Sequence, residues 1–287
     1  MKNCKKHFVV ALIVLMLGRF LAPIEAHAQI IEVGASAGLS YYMGDINPRK
    51  PFNNSSVGFG MLVRYYENTR WAFRLSYSYL QLKGSDDVSG YRPERGLSFK
   101  TNIHDIAAIA EFNFWDYFTG SKRNDLSPYL FGGISAFYFN PKAEDGTELC
   151  NMYTDVDYEG TMPARGEDKY SKFAISIPFG VGVKYSLGSK LGVAFEWRWD
   201  YTFTDWIDDC HAYYPKYNPG DDYVQYSDPT GFAADENGVN DKEYIQRGNK
   251  SDNDWFGYLN VSVVYKFVLP GGNDCHGGAN KNIYKNY

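Results

Sequence analysis

The residues that could do chemistry are few, and they fall in polar stretches. Asp208-Asp209 with His211, and His104-Asp105 elsewhere, supply the carboxylates and imidazoles that general acid–base catalysis uses. No serine, threonine or cysteine beside them is marked as an activated nucleophile, so they read as polar loop residues and no catalytic residue is expected. Asp235-Glu236-Asn237-Gly238-Val239-Asn240-Asp241 is rich in oxygen ligands. It lacks the alternating spacing and the terminal glutamate of a calcium-binding EF-hand loop, so it reads as a solvated loop. Cys150, Cys210 and Cys275 are too few and too scattered for a zinc site or a disulfide framework. No metal, cofactor or small-molecule substrate is expected.

The ends suggest where such residues reside. Lys2, Lys5 and Lys6 precede an apolar run from Phe8 to Leu17, and Ala26-His27-Ala28 forms an A-x-A cleavage site. Residues 1–28 therefore read as a signal peptide cut near Ala28-Gln29. Gly18, Arg19 and Pro23 leave the apolar run far short of the roughly 20 residues of a spanning helix. Residues 1–28 hold four of the 29 basic groups and one of the 34 acidic ones, so the chain beyond has a net charge of -8. That balance excludes a basic nucleic-acid surface.

Period-two alternation is the main signal, and it recurs eight times. Val57, Phe59, Met61, Val63 and Tyr65 oppose Gly58, Gly60, Leu62, Arg64 and Tyr66; Trp71, Phe73, Leu75, Tyr77 and Tyr79 oppose Ala72, Arg74, Ser76 and Ser78. Leu191, Val193, Phe195, Trp197, Trp199, Tyr201 and Phe203 form an unbroken apolar face over Gly192, Ala194, Glu196, Arg198, Asp200 and Thr202. The other segments begin at Ile31, near Ile103, and at Tyr129, Phe173 and Trp255. The facing of the fifth is ambiguous, and Pro178 in the sixth predicts a local bulge. Eight strands with a large aromatic face and a small or charged one imply an inverted protein. A mean hydropathy of -0.42 hides it, because lipid-facing and lumen-facing residues average out.

Links after segments two and six are short, and those after one, three, five and seven are long, reaching roughly 50 residues. This predicts an all-β, antiparallel up-and-down barrel over 29–268 crossing the outer membrane, with short periplasmic turns, long extracellular loops and a periplasmic tail at 269–287. Its partners on this reading include outer-membrane lipids. Eight strands are expected, with ten left open. At eight the interior is filled by side chains, so Arg64, Arg74, Glu111, Lys184, Glu196, Arg198, Asp200 and Lys266 are expected to pair in a packed lumen. The same topology puts Cys150 and Cys210 on one side and Cys275 on the other, making Cys150–Cys210 the candidate disulfide.

Tyr41-Tyr42-Met43-Gly44-Asp45-Ile46-Asn47-Pro48 closes the first strand, and Arg247-Gly248-Asn249-Lys250-Ser251-Asp252-Asn253-Asp254-Trp255 enters the last. Together with Pro128-Tyr129-Leu130-Phe131-Gly132-Gly133 they resemble PorG-like outer-membrane proteins of the Bacteroidetes type IX secretion system. The resemblance implies a non-catalytic part of a secretion machine, often also serving gliding motility, above a periplasmic ring of a lipoprotein and its partner. By topology that ring would meet the tail and the periplasmic turn bearing Trp115, Tyr117, Lys122 and Arg123. The alternative is a stand-alone OmpA-like surface barrel for envelope integrity or adhesion.

Overall fold

A computed structural model describes residues 30–121, 123–157 and 169–268. The expected signal peptide, Lys122, the tail and Cys275 lie outside them. Eight long strands alternate along the chain: β1 (Ile30–Met43), β2 (Ser56–Tyr66), β3 (Trp71–Ser85), β4 (Ser98–Asn113), β5 (Leu126–Tyr138), β7 (Phe173–Ser186), β8 (Leu191–Thr202) and β9 (Trp255–Val268). A two-residue strand, β6 (Pro141–Lys142), adds to β4. Long strands that are neighbours in sequence pair antiparallel, and β1 with β9 joins the first and last strands into a closed barrel. No helix among the described residues is long and apolar enough to cross a membrane. Each long strand has at least the roughly 9–11 residues that a tilted crossing needs.

The wall is inverted in its middle. Met61 is 63% exposed and Ile134 70%, and Phe59, Leu75, Ile106 and Phe195 are exposed likewise. Their sequence neighbours face inward and are buried, charges included. Apolar side chains so exposed on a closed wall suit hydrocarbon, where the backbone must be fully paired internally. This is a transmembrane barrel.

At the end bearing the long loops, the inversion ends. Beyond Tyr79 and His104 the outward residues of β3 and β4 become Gln81, Lys83, Asn102 and Lys100, while Leu80, Leu82, Phe99 and Ile103 turn inward. The inward set packs with Tyr42, Ile46, Phe137, Phe139, Ile207, Cys210 and Phe256 into one apolar core. Polar outside and apolar inside is the arrangement for water, so the membrane surface lies at this switch and an ordered cap stands above it.

Three expectations need adjusting. The fourth strand starts at Ser98, earlier than its alternation suggests, because its first turn belongs to the cap. In the fifth, Tyr129, Phe131 and Phe137 face inward. Gly180 and Gly182 make room for two of these rings: a Cβ on either would stand 2.6 Å from Phe131 or Tyr129. Pro178 makes no bulge. Pairing of β5 with β7 lapses opposite it and resumes at Ser135↔Ser176 in unchanged register, so the missing N–H costs only local bonds.

Candidate functional site

The lumen charges form two groups. In the first, Glu111 Oε2 meets Arg64 Nε at 2.8 Å and Lys184 Nζ at 2.6 Å, and Glu111 Oε1 meets Arg74 Nε at 3.2 Å. Glu32 accepts from Arg64 at 2.8 Å, and Glu196 accepts from both Arg74 and Tyr129. Three cations thus face three carboxylates, all buried. The second group is Arg198, which donates to Asp105 at 2.8 Å and to Asp200 at 2.7 Å. Of the expected set, only Lys266 stays outside: it lies half-buried with its ammonium 5.7 Å from the Phe118 ring centre and has no ion pair among the described residues. Glu32 and Asp105 take part without having been expected. Their alternation with outward neighbours is the signal that could have found them.

The short-turn mouth is closed by the chain itself. The link over 114–125 folds Tyr117 and Phe118 against Ile30, Tyr66 and Ala72. Lys184 lies within 6 Å of the rings of Tyr66, Tyr117 and Tyr129, a cation–π cage. Tyr117, expected to face a partner, is therefore a plug, because its ring buries more apolar surface inside the mouth than outside. Trp115 and Arg123 are exposed. Among the described residues this plug and the ion pairs fill the short-turn mouth and the middle of the lumen.

At the opposite mouth the two motif segments meet. Tyr42 Oη lies 2.5 Å from Asp208 and 2.9 Å from Asp254. Asp45 accepts from the Asn249 backbone N–H at 2.6 Å, and Asp254 accepts from Ile207 N–H at 2.9 Å. Arg95, buried in the β3–β4 loop, forks onto Asp86 at 2.6 and 2.8 Å and donates to the carbonyls of Arg247 (2.6 Å) and Asp45 (3.0 Å). Four separate chain segments are thereby clasped over the barrel. Beside the clasp a cleft of about 740 Å³ opens between Asp45, Tyr91, Arg92, Tyr201, Asn249 and Trp255.

The carboxyls of the clasp are held protonated well above their usual range. Burial first, then Asp45, pushes Asp208 up to about 8, and burial with Asp208 and Asp45 pushes Asp254 up. Burial likewise raises Asp45 to about 6, against the Asn249 N–H. A carboxyl whose folded pKa is raised binds protons that the unfolded loop does not, so stability falls as pH rises. Clasp stability should be complete below about pH 4 and should drop as pH passes 6 and then 8. Hydrogen exchange or limited proteolysis of loop 203–254 should show at least a tenfold loss of protection between pH 5 and pH 9. Constant or rising protection over that window would overturn this account.

The rim acid–base set does not assemble. His104 points outward, where its Nδ1 lies 2.8 Å from Tyr77 Oη, while Asp105 points into the lumen. His211 Nδ1 is 2.7 Å from Asp205, whose carboxyl is pushed up to about 12 by burial and by Asp254, Asp208 and Asp45. Burial lowers His211, so the contact is a neutral hydrogen bond. Asp209 is tied to Lys169 at 2.9 Å. The expected Cys150–Cys210 bond is absent. Both are buried thiols: Cys150 donates toward the Tyr170 carbonyl at 3.6 Å and Cys210 toward that of Arg247 at 3.4 Å. The cap core and the bonds of Thr154, Lys169 and Tyr170 to Asp209 join the two cysteine-bearing loops instead. Asp235 accepts from the N–H groups of Asn237 and Val239 and closes its own turn. No metal-ligating cluster exists among the described residues.

A family model described as a domain of unknown function, DUF6089, matches residues 6–223. Among solved structures the chain is similar to Ail, the attachment invasion locus protein of Yersinia pestis in complex with the heparin analogue sucrose octasulfate. Identity is 10% over 84% of this chain and 99% of that one, with a TM-score of 0.39. Neisserial surface protein A is 16% identical over 83% and 97%, at 0.39. A major outer membrane protein from Thermus thermophilus is 16% identical over 84% and 100%, at 0.38. No curated protein matches the sequence.

Proposed function

This chain belongs to the DUF6089 family, and from that premise we propose an integral outer-membrane barrel that serves a type IX secretion machine without catalysis of its own. The observation that carries this reading is the clasp. The two motif segments that resemble PorG-like proteins lie at opposite ends of the barrel sequence, yet Tyr42 bonds Asp254 and Asp45 bonds Asn249. Motifs that build one feature together are a stronger resemblance than either alone. In this reading the long-loop cap faces outward and the short-turn mouth faces a periplasmic lipoprotein ring. Because the lumen is filled, cargo does not pass through it, and the barrel acts by holding partners.

A second reading, a stand-alone surface barrel for envelope integrity or adhesion, is favoured by the plugged short-turn mouth. Tyr117 is turned inside the barrel, so its side chain is not offered to a periplasmic ring. Deleting the gene separates the two. On the first reading export of cargo with a C-terminal sorting domain stops, and the tagged barrel recovers a periplasmic lipoprotein that a W115A/R123E variant loses. Normal export in the deletion strain would overturn the secretion role and leave the surface barrel.

A further inference from the structure

Just above the level where the wall changes from apolar to polar, its outer face carries three lysines in one row. Lys83 is the register partner of Lys100, and Lys100 is that of Lys142. Residues directly opposite on one face have Cβ atoms about 4.5–5.5 Å apart, and like charges there are destabilising. Lys142 reaches Glu148 at 3.4 Å, but Lys172 shares that carboxylate at the same distance. Lys83 and Lys100 are exposed, and neither has a carboxylate partner among the described residues. The fold therefore sustains a repulsion between Lys83 and Lys100 that no carboxylate among the described residues relieves.

The level of the row indicates what could relieve it. One step below, Gln81 bonds Asn102 at 3.4 Å. Below that lies a belt of Tyr77, Tyr79, His104 and Tyr138, with Phe173 beside it. Such belts mark the edge of the hydrocarbon. Lys83 and Lys100 stand four residues beyond Tyr79 and His104, which at about 3.3 Å per residue and the usual tilt is roughly 10 Å higher. Lysine stems reach back down toward the interface, into the headgroup layer of a bilayer.

We infer that the Lys83–Lys100–Lys142 row binds the phosphorylated headgroup of an outer-leaflet glycolipid, which supplies the anion that Lys83 and Lys100 lack. Juxtamembrane lysines attract anionic headgroups over about a Debye length, and here three converge on one site continuous with the lipid-facing belt. The inference rests on the outer-membrane reading and not on the secretion role.

The test uses the full chain in phosphatidylcholine nanodiscs containing bisphosphorylated lipid A or its dephosphorylated form. Bisphosphorylated lipid A should raise the wild-type Tm by at least about 3 °C, and the dephosphorylated lipid should not. K83Q/K100Q should lose more than half of that rise. In phosphatidylcholine alone it should be at least as stable as wild type, because the like-charge pair is gone. K216Q, whose lysine pairs with Glu243, should respond as wild type does. An equal wild-type response to both lipids, or a full response in K83Q/K100Q, would overturn the site. A shift reproduced by inorganic phosphate in detergent would overturn the lipid assignment. Failure of the outer-membrane reading would show separately, as absence of the chain from the outer-membrane fraction of cells.

Discussion

Glu111→Ala should destabilise the barrel by about 3–5 kcal/mol, the usual cost of removing one partner from a buried ion network. Glu111 is fully buried and is the one carboxylate that touches Arg64, Arg74 and Lys184 together. Without it three buried cations share Glu32 and Glu196, and their burial leaves the excess charge poorly screened. Glu111→Gln should lose less, since its amide oxygen still accepts from one cation. Unfolding in urea, followed by heat-modifiable gel mobility in micelles, reads the effect. E111Q/K184M restores the charge balance and should recover part of the loss, because the two residues are coupled through one contact. A loss below about 1 kcal/mol in Glu111→Ala would mean that water enters the lumen and does the work assigned to the carboxylate.

Arg95→Ala should open the cap and leave the barrel standing. Its guanidinium is buried and holds the β3–β4 loop, through Asp86, to the carbonyls of Arg247 and Asp45. Removal leaves the fully buried Asp86 with the Leu97 N–H and no cation, again a cost of about 3–5 kcal/mol. That cost falls on the loops, because Arg95 touches no lumen residue. Protease should therefore cut 86–97 and 203–254 at least a hundredfold faster, while heat-modifiable mobility of the barrel stays as in wild type. Arg95→Lys should rescue little, since an ammonium cannot fork onto Asp86 and also reach two carbonyls. Loss of barrel mobility together with the loops would show that cap and barrel unfold as one unit.

The barrel itself was legible because its rule is local. In a strand successive side chains face opposite sides, so Trp71, Phe73 and Leu75 against Ala72 and Arg74 declare the facing within a few residues. Within the membrane each strand keeps its apolar side outward from one residue pair to the next. The lumen charges followed from the same parity, which is why Arg64, Glu111 and Lys184 were found without any knowledge of their partners. The rule fails where the solvent changes. Leu80, Leu82, Lys83 and Lys100 keep the parity of their strands, but inward now means apolar, and nothing local signals the switch.

Loops carry no period, so their contacts were hidden. Tyr117 reads as one more aromatic in a polar turn, and only the diameter of the mouth turns it into a plug. Cys150 and Cys210 lie in loops on the same side, and topology alone could not tell joined sulfurs from buried thiols. Asp45 and Asp208 look solvated in sequence, whereas packing under Arg95 and Tyr42 withdraws them from water and raises their pKa.

The sequence by itself determined the strands, the facing of all but the fifth, the closure implied by an inverted pattern and the sorting of long and short links. Each of these follows from backbone geometry acting over neighbouring residues. Tertiary structure alone decided which charges pair, that the short-turn mouth is stoppered, and that the two motifs clasp over the other mouth. It also decided that three lysines stand in one row. Those outcomes depend on the register between strands and on residues far apart in the chain, and register is fixed only when the whole sheet closes.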